Sequence, residues 1–138
     1  MKTLLRVGGA LLLAAGLAGC GGAGGEPEPD TTAPQVLRTE PAAGAVGVDP
    51  GTRLRVWFDE PVDNQRAVWD DQLYLLRPDG VAMYGNGSYD LQARQATLAL
   101  AADLLPGTTY EAVLERGVCD LAGNCTTAAH RWSFTIAD

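Results

Sequence analysis

Leu54-Arg55-Val56-Trp57-Phe58-Asp59-Glu60-Pro61-Val62-Asp63 is the stretch whose reading decides the fold. Leu54, Val56 and Phe58 alternate with Arg55, Trp57 and Asp59. Successive side chains on a strand point to opposite faces, so this pattern predicts a strand with one apolar face turned to a core. Pro61 cannot donate to a ladder and ends it. Trp57 falls on the outward phase between charged neighbours. An exposed aromatic in that setting marks a binding patch, unless a loop such as Ala67-Val68-Trp69 covers it. Tyr74 is a second candidate contact.

The same period of two recurs along the chain. Ala96, Leu98 and Leu100 alternate with Gln95, Thr97 and Ala99; Tyr110, Ala112 and Leu114 with Thr109, Glu111, Val113 and Glu115; Trp132, Phe134 and Ile136 with Arg131, Ser133 and Thr135. Residues 35–39 form a first edge strand, and 72–77 and 81–84 are weaker strands separated by Pro78-Asp79-Gly80. About seven short strands with turn residues between them predict an all-β fold, a single antiparallel sandwich. Val56, Phe58, Leu98, Tyr110, Leu114, Trp132 and Phe134 are expected to share its interior. The one stretch with helical character, 64–71, is too short to change the class.

The first 19 residues do not belong to that domain. Lys2 and Arg6 precede an uncharged run of 12 residues, Val7 to Ala18. A bilayer core needs about 20 apolar residues, so a short run behind a basic start reads as a secretory signal. Leu17-Ala18-Gly19-Cys20 resembles the lipobox of bacterial lipoproteins. That likeness implies cleavage before Cys20 and a diacylglycerol on its thiol. Gly21 is not the Asp that resembles an inner-membrane retention signal, so an outer membrane is the expected site where the organism has one. Residues 20–30 are rich in Gly, Pro and Glu with no large apolar side chain, which describes a tether of roughly 15–20 Å. The folded domain is therefore expected to span 31–138.

Within 31–137, six segments resemble in order and spacing the SbsA-type Ig-like domain of bacterial surface and S-layer proteins. They are Thr32-Ala33-Pro34-Gln35-Val36, Pro41 to Pro50, Leu54 to Asp63, Leu105-Pro106-Gly107-Thr108-Thr109-Tyr110, Asp120-Leu121-Ala122-Gly123-Asn124 and Trp132-Ser133-Phe134-Thr135. The resemblance implies an Ig-like β-sandwich used as a spacer, adhesion module or accessory domain. Tyr110 sits where its hydroxyl can reach back to the preceding turn, like the tyrosine corner of related sandwiches. The chain departs from the family in standing alone behind an anchor and in flanking its Asp-Leu-Ala-Gly-Asn turn with cysteines.

With Cys20 lipidated, Cys119 and Cys125 have only each other as intramolecular partners, outside the reducing cytosol. A disulfide closing this small loop is expected, worth about 2 kcal/mol and holding Asp120 and Asn124 in place. Free thiols and an intermolecular bridge are the competing readings.

No residue set makes a convincing catalyst. The chain has one His, His130, and only Ser88 and Ser133 as serines, without a nucleophile elbow. The mature chain has no Lys, which excludes a phosphate loop, and one His with paired cysteines is too few for zinc. Removing Lys2 and Arg6 from ten basic residues leaves eight, all Arg, against 17 acids, a net charge of −9. Such a chain repels phosphate backbones, so nucleic acid is not an expected partner. No cofactor is required. Calcium is the one candidate, because an Ig-like path would gather Asp30, Asp59, Glu60, Asp63, Asp120 and Asn124 at one pole. The expected function is a non-enzymatic, lipid-anchored envelope module acting in interaction or adhesion, on an envelope or extracellular protein or glycan. The alternative is a structural or accessory component without a specific ligand.

Overall fold

The computed structural model describes residues 29–138, apart from 66 and 68. The signal segment, Cys20 and most of the tether lie outside the described residues. The chain divides into two compact units, Met1–Asp30 and Thr31–Asp138. The fold below is that of the second.

The strands are β1 (Val36–Glu40), β2 (Ala45–Val48), β3 (Leu54–Phe58), β4 (Leu73–Leu76), β5 (Ala82–Met83), β6 (Gly85–Asp90), β7 (Gln95–Leu100), β8 (Thr109–Leu114) and β9 (His130–Ile136), with one helical turn, α1 (Trp69–Gln72), ahead of β4. They form a four-stranded sheet in the order β1-β3-β7-β6 and a five-stranded sheet in the order β2-β9-β8-β4-β5. Neighbours are antiparallel except β2, which runs parallel to β9. The all-β Ig-like sandwich is thus present, with nine strands among the described residues where the alternation indicates about seven.

The two additional strands were hidden for different reasons. Residues Ala45–Val48 read as a turn motif, because Gly44 and Gly47 take φ of 78° and 65°. Their pairing comes from β9, through Phe134 opposite Ala45 and Ile136 opposite Val48. The Gly85–Asp90 strand has two glycines where β-formers are expected, a composition that disfavours strands. Neighbours explain both: a Cβ on Gly85 would lie 2.9 Å from the Ala99 carbonyl carbon, and one on Gly87 2.6 Å from that of Trp69.

The strand phases are as expected. Val56, Phe58, Leu98, Tyr110, Leu114, Trp132 and Phe134 are all buried in one cluster with Leu54, Leu73, Leu75 and Ile136. Aromatic polar atoms entering this core have partners, as burial demands. The Trp132 Nε1–H donates to the Pro41 carbonyl at 2.9 Å, and Trp69 Nε1–H to Asn64 Oδ1 at 2.7 Å. The Tyr110 hydroxyl accepts from the Leu105 N–H at 3.0 Å, forming the corner that its position after the Pro106-Gly107 turn predicts. The helical character of 64–71 reduces to α1, whose Trp69 is 5 % exposed and stacks on Tyr89 at 5.6 Å.

Candidate functional site at the stapled pole

The connection from β8 to β9 carries Cys119-Asp120-Leu121-Ala122-Gly123-Asn124-Cys125. Cys119 and Cys125 face each other as an antiparallel bridge with Cα atoms 3.9 Å apart, and their sulfurs are bonded. Inside this ring the chain reverses around one carboxylate. Asp120, 1 % exposed, accepts from the Ala122 and Asn124 N–H groups at 2.9 and 2.8 Å, and from the Asn124 side-chain amide at 3.0 Å. Gly123, with φ of 95°, supplies the left-handed residue that the reversal needs. The loop after β3 docks against this ring: Val62 bridges to Asp120, and the Asp63 N–H donates to the Cys119 carbonyl at 2.8 Å. Beside the junction lies a cleft of about 300 Å³, walled by Val62, Asp63, Tyr89, Leu91 and Leu121. Leu91 and Leu121 are 56 % and 66 % exposed, and the alternation does not single out either one.

The two candidate contact aromatics sit on opposite outer faces. Trp57, in β3, is half-buried, and its cover is the Arg38 guanidinium from β1, 3.5 Å above the ring centroid. Of the loop expected to cover it, Ala67 and Trp69 pack on the core instead, and Val68 lies outside the described residues. Tyr74, in β4, is half-buried, donates its hydroxyl to Glu115 Oε2 at 3.0 Å, and lies 5.3 Å from the ring of Tyr84. Burial, then the bond to Glu115, raises the Tyr74 pKa. Tyr84 is 53 % exposed and escaped the sequence reading because it ends a weak strand.

Residues 30–136 match the family described as bacterial Ig-like domain. The chain belongs to that family. Among solved structures, this Ig-like domain is similar to CopC from Methylosinus trichosporium OB3b, with TM-score 0.60 and 17 % identity over 75 % of this chain and 93 % of that one. It is also similar to PcoC, a methionine-rich copper resistance protein from Escherichia coli, with TM-score 0.59 and 13 % identity over 76 % of this chain and 99 % of that one. The N-terminal part of the bacterial S-layer protein SbsC gives TM-score 0.57 at 24 % identity over 77 % of this chain, but only 24 % of the S-layer chain. These likenesses describe the fold. No curated protein matches the sequence.

In this Ig-like domain the six oxygens expected at one pole divide. Within this unit, Glu60 and Asp120 are the candidates for holding a cation. Glu60 and Asp120 offer carboxylate oxygens within 4.8 Å of each other, whereas Asp30 is exposed and belongs to the preceding unit. Asp59 and Asp63 stand outside that group. Asp59 Oδ1 accepts from the Gln35 N–H at 2.9 Å and Asp63 Oδ1 from the Gln65 N–H at 3.0 Å, so each is occupied in fixing a strand end or a turn. Asn124 serves Asp120 as a donor. Asp59 and Asp63 thus also serve locally, because backbone N–H groups at turns need acceptors, and Asn124 holds the Asp120 carboxylate. Among the possible acid–base residues, His130 and Ser133 are exposed on β9, and the His130 ring lies 5.6 Å from Trp132. No helix among the described residues is long and apolar enough to cross a membrane.

Proposed function

We propose that the chain is an SbsA-type Ig-like module of the cell envelope, anchored outside the cytoplasm by lipid on Cys20 and acting without catalysis in interaction or adhesion. The observation that supports it best is how the polar chemistry of the domain is employed. Asp120 is enclosed by its own loop, the two cysteines are joined, and the interior is filled by side chains. What the domain offers a partner is surface: Trp57 under Arg38, Tyr74 with Tyr84, and the leucines at the stapled pole. Aromatic and arginine side chains of this kind dominate binding energy at protein interfaces. The lipid anchor rests on the residues before and including Cys20. Several acyl chains hold a protein stably at a membrane where one does not.

Two measurements test the reading. Cys20→Ser should leave the protein uncleaved or release it into soluble fractions; normal processing with intact membrane association would remove the anchor. Residues 30–138 should capture a specific partner from envelope extracts, more weakly after Trp57→Ala. Capture of nothing by the wild type would leave the purely structural role.

Copper does not enter the proposal, although PcoC is a copper resistance protein. Soft metals take Met, Cys and His donors. This chain has two Met and one His, Met83 is packed against the core, and Cys119 and Cys125 are bonded to each other. A hard cation such as calcium at Glu60 and Asp120 is a second reading, favoured by their oxygens lying within 4.8 Å. A melting temperature unchanged between chelator and millimolar calcium removes it.

A further inference from the structure

We infer that the outer face of the five-stranded sheet is a binding surface for a neutral glycan, with Tyr84 as its stacking platform. The inference rests on the interaction reading above and names the partner class and the face.

The register lays out that face in rows. Arg131 stands opposite Val113, and Val113 opposite Tyr74; in the next row Ser133 faces Glu111, and Glu111 faces Leu76; beyond it Thr135 faces Thr109. Val113 is 0 % exposed although it lies on the outward phase and is absent from the core cluster, so side chains of its own face enclose it. Tyr84 brings a half-exposed ring against Tyr74 at the edge of the same row. One row along, about 7 Å at the rise of two strand residues, the surface dips into a cavity of about 320 Å³. Thr109, Glu111 and Ser133 line it, and Pro78 and Gly80 of the β4–β5 turn form its wall. The size suits a small ring system.

The chemistry of this face selects among ligands. Its charges are matched where they stand. Arg131 lies 3.5 Å from Glu111, Arg77 lies 2.6 Å from Asp79, and Glu115 accepts from Tyr74. An anion would meet arginines already paired, on a chain whose net charge is −7. A cation would meet carboxylates that already have partners. The uncharged hydrogen-bonding groups at the cavity are the hydroxyls of Ser133 and of Thr109, the latter joined to Thr135 at 2.8 Å, beside the Glu111 carboxylate that Arg131 neutralises. Sugar hydroxyls both donate and accept, which matches such a mixture. The apolar C–H face of a pyranose lies flat on an aromatic ring, and a tyrosine supplies that area at small entropic cost.

The test is native affinity electrophoresis of the full chain, in non-ionic detergent, through gels containing neutral polysaccharides (galactomannan, glucomannan and mixed-linkage β-glucan) or anionic alginate. The wild type should be retarded by at least one neutral polymer and not by alginate. Tyr84→Ala should weaken that retardation about tenfold, Tyr84→Phe should largely keep it, and Leu37→Ala, on the opposite sheet, should leave it unchanged. Equal melting temperatures for the variants would show that folding is not the cause. Absence of retardation in all three neutral gels, retardation by alginate as strong as by them, or insensitivity to Tyr84→Ala would each overturn the inference. An envelope protein captured equally by wild type and Tyr84→Ala, without glycan binding, would sink the glycan while leaving the interaction reading standing.

Discussion

Asp120 shows what this chain does with its acidity. Five aspartates accept from the N–H two residues on: Asp49 from Gly51 at 2.7 Å, Asp63 from Gln65 at 3.0 Å, Asp79 from Val81 at 3.1 Å, Asp90 from Gln92 at 2.9 Å and Asp120 from Ala122 at 2.9 Å. A short carboxylate closing a turn in this way replaces a missing backbone partner. Much of the chain's acidity thus also closes turns. Only Asp120 performs the task while buried, and a buried acceptor removed leaves donors without water to replace it. Asp120→Ala should cost about 3 kcal/mol and Asp49→Ala about 1 or less, measured by urea unfolding; equal costs would show that burial is not what matters. Tyrosines set the alkaline limit. Tyr74 and Tyr89 have pKa values raised above 10.0, chiefly by burial. A raised folded-state pKa contributes stability that is complete below the unfolded value and is lost as pH rises through the folded one. Unfolding free energy should therefore fall above about pH 10, and Tyr89→Phe should flatten that decline. A decline of the same slope in Tyr89→Phe would assign it elsewhere.

At the scale of elements, one strand and one helical turn depend on a missing side chain. The Gly87 N–H donates to Asp70 of α1, and its Cα faces Trp69. A larger residue there meets backbone, which cannot move aside as a side-chain tip can. Gly87→Val should expel Trp69 from its stack on Tyr89, visible as red-shifted tryptophan emission with a stability loss of about 3 kcal/mol or more. Unchanged emission would mean that α1 tolerates the bulk. The phase of β3 is tested by a pair of substitutions. Phe58 is 2 % exposed in the core, whereas Arg55 lies on the outer face 3.4 Å from Glu40. Phe58→Ala should cost about 3–5 kcal/mol, most of the stability of a domain this size. Arg55→Ala should cost under about 1 kcal/mol, as exposed ion pairs do. Similar thermal shifts for the two would contradict the assigned faces.

At the scale of the molecule, net charge governs what approaches. A chain of net charge −7 has no field to attract phosphate backbones, and its arginines at 38, 55, 77 and 131 each lie beside a carboxylate. It should give no mobility shift with duplex DNA even at about 50 mM salt, where non-specific binding is strongest. A shift that weakens with added salt would reveal a basic surface where none is expected. The Ig-like chain path has a second consequence. It crosses between the sheets several times, and the loops after β3, β6 and β8 meet at one cleft, framed by Leu91 and Leu121 from distant parts of the sequence.

The sequence by itself determined the fold class and the faces of β3, β7, β8 and β9, and it pointed to the Tyr110 corner and, over free thiols or an intermolecular bridge, to the Cys119–Cys125 pair. Each of these is written locally: alternation follows from strand geometry, the corner from a Tyr placed just after a Pro-Gly turn, and the bridge from two cysteines six residues apart. Only the tertiary structure decided the rest. The pairing of Ala45–Val48 depends on β9, which lies more than 80 residues away. The glycines of β6 disfavour a strand by composition, and only the fold shows Trp69 and Ala99 filling the space their side chains would need. Trp57 is covered by an arginine from a neighbouring strand, and Tyr84 meets Tyr74 across a hairpin. Asp63 and Asp120 also close turns, through bonds whose geometry appears only on folding. Periodicity reports which face of an element is apolar; what that element meets depends on contacts between residues far apart in the chain, and no local pattern records them.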